Sequence, residues 1–177
     1  MAVMKLMEPT MAYAGGIAAY RAAFLASGDS MDGTDSLRRF ENPQDWINHV
    51  NAGKKPETVE PGKVPATLYL YVRESDRKIV GMIQIRHFFN DYLEKYAGHI
   101  GYSIAPDERR KGYATPMLHD ALPKCKQLGI QKALVCCYRE NEGSRKTILK
   151  NGGTCETTVF EPEREKWIER YWIDLSE

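Results

Sequence analysis

Neither sign of charge dominates this chain: 25 Lys and Arg stand against 24 Asp and Glu, a formal net charge of +1 over 177 residues. A whole-protein electrostatic grip on nucleic acid or on an anionic membrane is therefore not expected. Cysteine is scarce and unpatterned. Cys125, Cys136, Cys137 and Cys155 form neither a CxxC pair nor the spacing of a zinc site, so they read as reduced core residues of a cytoplasmic protein, with no metal. Long apolar runs are also missing. The alanine-rich stretch 12–26 is interrupted by Arg21, has no basic leader, and falls short of the roughly 18 uninterrupted apolar residues of a membrane span. No internal repeat and no low-complexity tract occurs.

What is present is an ordinary folded composition, 42% hydrophobic and 28% charged with 14 Gly and 9 Pro, which excludes disordered and collagen-like classes. A chain of this length buries roughly 70% of the surface its unfolded form exposes, enough for a core without disulfide or metal. One domain over 1–177 is the expectation.

The spacing of Ile17, Tyr20, Phe24 and Leu25 predicts a helix over 11–27 that ends at Gly28 and packs one face on a sheet. A polar loop over 29–40 follows, then a short helix over 43–50 carrying Trp46 and Ile47. Residues 51–65, with Gly53, Pro56, Pro61, Gly62 and Pro65, read as a mobile loop. Alternating apolar residues predict an antiparallel hairpin of strands 66–73 and 79–87. A wider connection, 88–97, leads to a strand over 98–104 that Pro106 terminates. The clearest periodic signal is the stripe Tyr113, Met117, Leu118, Ala121, Leu122, Cys125 and Leu128, which predicts a helix over 111–129. Pro116 falls in its first turn, whereas Pro123 lies inside it, removes a backbone bond at a cost of about 3 kcal/mol and predicts a kink. A buried strand over 132–138 completes a strand-helix-strand unit and hence a parallel pair. A short helix over 144–150, closed by Asn151, Gly152 and Gly153, and two strands, 154–160 and 166–174, finish the chain.

The segment carrying chemistry is Ile104-Ala-Pro-Asp-Glu-Arg-Arg-Lys-Gly-Tyr-Ala-Thr115, between a strand end and a helix start. Backbone N–H groups there have no intrahelical acceptor, and with the helix dipole they form an anion site. Gly112 lets the main chain approach a diphosphate, Ala114 keeps the approach open, Thr115 adds a hydroxyl, and Arg109, Arg110 and Lys111 raise the local potential. The alternative for RRKG alone is a solvated basic turn. The loop has neither the GxxxxGK[ST] spacing of a P-loop nor GxGxxG, which argues against nucleotide hydrolysis and hydride transfer.

These residues resemble the GNAT superfamily of acyl-CoA-dependent N-acyltransferases. Its [Q/R]xxGx[G/A] loop is matched by Arg109-Arg-Lys-Gly112-Tyr-Ala114, and its NxxSxxxxxxxGG/F stretch by Asn141 to Ser144 through Gly153. The resemblance covers about residues 66–160. It implies an α/β (α+β) fold with a mixed, mostly antiparallel sheet of six or seven strands, a central splayed parallel pair and flanking helices. It further implies that the N–H groups from Arg110 to Thr115, including those of Lys111, Gly112, Tyr113 and Ala114, hold the pyrophosphate of acetyl-CoA. The backbone of Tyr102, Ser103 and Ile104 is then expected to pair with the pantetheine arm, with Asn141 and Ser144 contacting that arm or the sulfur region. The acyl group passes directly to an amine.

Many members take the thiolate's proton from a tyrosine seven residues after the asparagine, a position held here by Ile148. Catalytic candidates are therefore His99, Tyr102 and Ser144, with His87, Glu94 and Tyr138 further off. No nucleophile elbow or activated cysteine is present, so a covalent acyl-enzyme is not expected. Phe88, Phe89, Asp91, Tyr92 and Glu94 suggest a wall suited to a cationic acceptor, or else pin a loop to the core. The pattern is more similar to the branch with ribosomal-protein N-terminal acetyltransferases than to the aminoglycoside-modifying branch. The expected partners are acetyl-CoA and a primary amine, small or a protein N-terminus, with a homodimer slightly favoured through Trp167, Tyr171 and Trp172. The rival reading is a CoA-binding regulatory module without turnover.

Overall fold

In the computed structural model, which describes residues 2–176, the strands are β1 (Met4–Met7), β2 (Ala66–Arg73), β3 (Lys78–Arg86), β4 (Ile100–Ile104), β5 (Lys132–Tyr138), β6 (Thr154–Glu161) and β7 (Lys166–Asp174). They join in one sheet of order β1-β2-β3-β4-β5-β7-β6. Every neighbouring pair is antiparallel except β4 with β5. The helices are α1 (Ala14–Ser27), α2 (Pro43–Ala52), α3 (Ala114–Gln127) and α4 (Glu142–Lys150).

Helices cover both faces, which is why β2 and β3 are apolar almost throughout and not alternating. On one face Ile17, Tyr20 and Phe24 of α1 and Trp46, Ile47 and Val50 of α2 pack on Leu68, Leu70, Val72 and Met82. On the other, Met117, Leu118, Ala121 and Cys125 of α3 and Ile148 of α4 pack on Tyr71, Ile83, Ile85, Ile100 and Val135. From Gly81 onward the parity along β3 is regular, even positions facing α1 and α2 and odd positions facing α3 and α4, whereas across the preceding bulge it is inverted, with Ile79 toward α1 and Val80 toward α3. It decides below which side chains meet in the site.

Most expected elements are found within a few residues of their predicted bounds. Gly28 caps α1 in the left-handed region at φ 76°, and Asn42 caps α2 by accepting the N–H of Gln44. The expected helix over 111–129 begins only at Ala114, because Arg110 and Gly112 take positive φ and cannot belong to it. It stays continuous through Pro123. Two expectations are corrected, and the expected connection before β4 gains a turn. Leu25 lies off the buried stripe of α1 and is 43% exposed. Cys155 is no core residue but sits exposed on the edge strand β6. The connection 88–97 closes with a π-helical turn, Leu93–Ala97. The edge strand β1 was not expected.

Between β4 and β5 the sheet opens. Ile100 and Val135 are their single registered parallel pair, supported by the His99 N–H bond to the Leu134 carbonyl at 2.8 Å. Beyond that pair β5 is held by β7 instead, over its full length from Lys132 to Tyr138. Two strands joined at one end and drawn apart at the other leave a slot at the middle of the sheet.

Candidate active site

The slot's first wall is the loop from β4 into α3. A short turn, Pro106–Glu108, is followed by Arg110 at φ 61° and Gly112 at φ 84°. Left-handed backbone costs an ordinary residue roughly 1 kcal/mol, and here it turns the amides outward ahead of the first helical turn. Among the described residues, none of the N–H groups from Arg109 to Thr115 donates to a protein oxygen. Such a row of free donors at a helix start is what an anion requires.

Beneath the loop Glu108 is buried, and it holds the bend in place. Arg73 donates to both its oxygens at 2.9 and 3.2 Å, Lys78 reaches it at 3.1 Å and Lys111 at 3.3 Å. These donors, Arg73 first, pull the carboxyl down to about 2. Arg73 also donates to the Tyr113 hydroxyl at 3.0 Å, so one guanidinium ties β2 to both ends of the loop. The three loop cations are not equivalent. Arg109 is turned away from the loop, with Nη1 2.6 Å from Asp29 and Nε 3.2 Å from the Ile104 carbonyl. Lys111 serves Glu108. Arg110 alone of the three makes no ion pair among the described residues.

A cavity of about 750 Å³ runs from this loop through the slot to the face of α1 and α2. Ala105 N–H bonds to Val80 and Arg86 N–H to the His99 carbonyl, so the odd residues of β4 direct their backbone at β3. The backbone of Tyr102 and Ile104 therefore faces the slot, where β5 has already diverged. An extended molecule can pair there as a further strand. Across the slot, Asn141 caps α4 by accepting the N–H of Ser144 at 3.1 Å, and the Ser144 hydroxyl lies 2.6 Å from that of Tyr102. Burial pushes the Tyr102 hydroxyl well above its ordinary value, and the Ser144 bond only partly offsets this. Ile148 is fully buried against Gly153, which leaves no side chain from that position in the cavity.

The expected site residues divide accordingly. Tyr102, Ser103, Ile104, Arg109, Arg110, Gly112, Tyr113, Ala114, Thr115, Asn141 and Ser144 all line the cavity. Lys111 does not, being bound to Glu108. His99 is not brought to it either. Its Nδ1 accepts the Leu134 N–H at 2.9 Å, its ring stacks on Phe89 at 4.2 Å, and burial with nearby Arg86 pushes it down to about 4. His87 bonds Thr67 at 2.8 Å, and Glu94 is outside the cavity as well. Tyr138 lines it and accepts from Arg164 at 3.1 Å. Of the predicted acceptor wall, only Tyr92 reaches the cavity.

Several residues could not be picked out from the sequence. Tyr20 of α1 donates to the Ser103 carbonyl at 3.1 Å and lies 2.9 Å from its hydroxyl, fixing β4 from below. Gly33 sits directly on β4, where a Cβ would come within 2.4 Å of the Gly101 carbonyl. Asp29 and Asp32, on the same segment, line the cavity with Arg86. The packing of α1 and its following loop on the sheet brings them together. Among the described residues no group of three His, Cys, Asp or Glu could hold a metal, and no helix is long and apolar enough to cross a membrane.

A splayed parallel pair opening beside a loop of unpaired amides defines an α/β fold with a slot through its sheet and an anion site at the slot's mouth. The acetyltransferase (GNAT) domain family matches residues 22–154, and the chain belongs to that family of acetyltransferases. No curated protein matches it in sequence. Among solved structures it is similar to RimJ of Mycobacterium smegmatis in complex with CoA-disulfide, at 18% identity and a TM-score of 0.70, covering 98% of this chain and 83% of that one. It is also similar to the ribosomal-protein-S5-alanine acetyltransferase of Vibrio fischeri, at 18% identity and TM-score 0.68, covering 97% and 91%. A third is the microcin C7 self-immunity acetyltransferase MccE in complex with acetyl-CoA and AMP, at 17% identity and TM-score 0.68, covering 97% and 92%. At these identities the likeness is one of fold.

Proposed function

We propose that the protein transfers an acetyl group from acetyl-CoA directly to a primary amine, both substrates being bound at once. The observation that carries this is the run of unpaired amides from Arg109 to Thr115, at the mouth of a slot that the backbone of Tyr102 and the N–H of Ile104 face. The amides take the diphosphate, and the β4 backbone takes the pantetheine arm, with the Asn141 amide beside it. The thioester carbonyl then lies near the Ile104 N–H, whose donor polarises it as the tetrahedral oxyanion forms.

The free-base amine attacks the carbonyl carbon. The C–N bond forms, the C–S bond breaks, and the departing thiolate takes a proton. Tyr102 supplies that proton, with Ser144 holding its hydroxyl in place, and the proton that the nitrogen sheds on becoming an amide restores the tyrosine through solvent. A tyrosine raised above its ordinary value stays protonated over the pH range in which amines lose theirs, so the donor is loaded whenever the nucleophile is ready. This pair replaces the general acid absent at Ile148, and so supports turnover over a binding-only role. The amine binds as its ammonium and loses that proton to solvent before attack. His99, Lys111, His87 and Glu94 take no part in the chemistry.

Fold neighbours named as ribosomal-protein acetyltransferases support the same branch of the family for this chain; the branch does not fix the acceptor, whose chemistry is taken up below. The cytoplasm, where acetyl-CoA is plentiful and cysteines stay reduced, is the expected location. A homodimer through the exposed, edge-to-face Phe160 and Trp167 of the β6–β7 hairpin belongs to the same proposal. Two measurements test the function. Acetyl-CoA raises the melting temperature by binding the folded state preferentially, and a primary-amine panel releases free CoA thiol. No melting shift at saturating acetyl-CoA, or a shift without thiol release from any amine, contradicts the reading.

A further inference from the structure

Arg86 has no carboxylate within ion-pair distance among the described residues, although it lies in the wall of the cavity. Its Nη1 donates to the Ala97 and Gly98 carbonyls at 3.4 and 3.2 Å. Its Nη2 and Nε have no protein acceptor among the described residues. Burial lowers its affinity for its proton, Asp32 and Asp35 acting in the opposite sense from beyond contact range. An arginine in a cavity wall with its outer edge unfilled retains donors suited to a planar anion.

Its place in the sheet says which substrate that anion belongs to. Arg86 is at an even position of β3 and so faces α1 and α2, the side opposite the slot's phosphate loop and Ser144. A Cβ at Gly101 of β4 would be 3.1 Å from Arg86 Nη2 and 3.6 Å from Gly33 Cα. The guanidinium and the Asp32–Gly33 turn thus flank the same residue of β4, one position before Tyr102. Asp32 lines the cavity with its carboxylate, which accepts from the Ser30 hydroxyl at 3.2 Å. A cation and an anion therefore stand beside the same stretch of β4, not in ion-pair contact with each other among the described residues. The matching ligand carries both charges close together.

Resting on the acetyl-transfer reading, we propose that the acceptor is a free amino acid, its carboxylate held by Arg86 and its ammonium presented beside Asp32 before deprotonation. Gly101 is required between them because any side chain there would meet Arg86 Nη2 and block the carboxylate. A peptide N-terminus has an amide where an amino acid has its carboxylate, and it leaves the guanidinium edge unfilled. An aminoglycoside or a polyamine places further positive charge against it.

The test is CoA-thiol release by the wild-type enzyme with acetyl-CoA and the twenty L-amino acids, each beside its carboxamide and methyl ester. Loss of a charge-assisted bond to a carboxylate predicts kcat/KM about 100-fold lower for the amide and ester of the preferred amino acid. Arg86→Gln raises KM for the amino acid by a similar factor, spares KM for acetyl-CoA, and leaves the amide's poor rate nearly unchanged. Equal rates for acid and amide, preference for peptides with a free N-terminus, or an Arg86→Gln defect equal for acid and amide overturns the proposal while leaving acetyl transfer intact. Acetyl-CoA binding with no turnover of any acceptor overturns both.

Discussion

The hydroxyls of Tyr102 on β4 and Ser144 on α4 stand 2.6 Å apart across the slot. They bridge β4 and the start of α4 beyond Ile100 and Val135, where β4 and β5 part. Replacing Tyr102 by Phe removes the proton donor but keeps the ring, so kcat is expected to fall by about 100-fold or more with KM for acetyl-CoA little changed. Ser144→Ala is expected to cost less, since it loosens the donor without deleting it. In wild type, kcat should rise with pH as the amine deprotonates and show no falling limb up to about pH 10. Steady-state kinetics of both variants against pH checks this, and a descending limb near neutrality assigns the proton to another group.

Glu108 links stability to acid. Its folded value of about 2 lies below the ordinary 4.5, so its contribution is complete above about pH 4.5 and is lost as pH falls toward 2. Lys78 and Lys111 are partly solvated, which holds the contribution to about 1–2 kcal/mol. Glu108→Gln is expected to lower stability at pH 7 by that amount and to reduce the difference between pH 5 and pH 2.5. Urea denaturation at the three pH values measures it. Because the same carboxylate pins the loop, the variant should also bind acetyl-CoA more weakly.

His99 operates in a different window. Its folded value of about 4 lies below the ordinary 6.5, so the neutral ring is favoured in the folded state. Stability is unaffected above about pH 6.5 and falls by about 2 kcal/mol as pH drops from 6.5 to 4. His99→Gln should flatten that window and keep turnover within about threefold, the scale of a small repacking and not of a lost base. A turnover loss of two orders of magnitude in a folded variant would make His99 the base after all.

Gly33 tests the contact between the α1–α2 segment and β4. At φ 70°, and with Gly101 and Tyr102 backbone inside 2.7 Å of any Cβ, Gly33→Ala has to push the segment off the strand. The expected result is a stability loss of about 1–3 kcal/mol, a raised KM for the amine and an unchanged affinity for acetyl-CoA. Calorimetry with acetyl-CoA alongside acceptor kinetics separates the two effects.

Local signals made much of this legible. The stripe from Tyr113 to Cys125, the β2–β3 hairpin and the Arg109–Ala114 pattern depend on residues near one another in sequence, and their periods and turn residues specify them. The strand β1 is four residues on an edge, too short to show a period. Arg86 became a site residue through the β3–β4 register, and Asp32 and Tyr20 through the packing of α1 and its loop on the sheet, contacts between residues far apart in the chain. The three cations of Arg109, Arg110 and Lys111 look alike in sequence, yet Asp29 and Glu108 engage two of them. His99 shows the same limit: at a strand start a histidine reads identically whether it faces a slot or packs under Phe89.

The most direct measurement is a crystal structure of the protein with acetyl-CoA. The account predicts diphosphate oxygens within about 3.2 Å of several N–H groups between Arg110 and Thr115, and the pantetheine arm paired with the backbone of Tyr102 and Ile104. A diphosphate bound elsewhere, with those amides solvated or taken up by the protein's own oxygens, contradicts it.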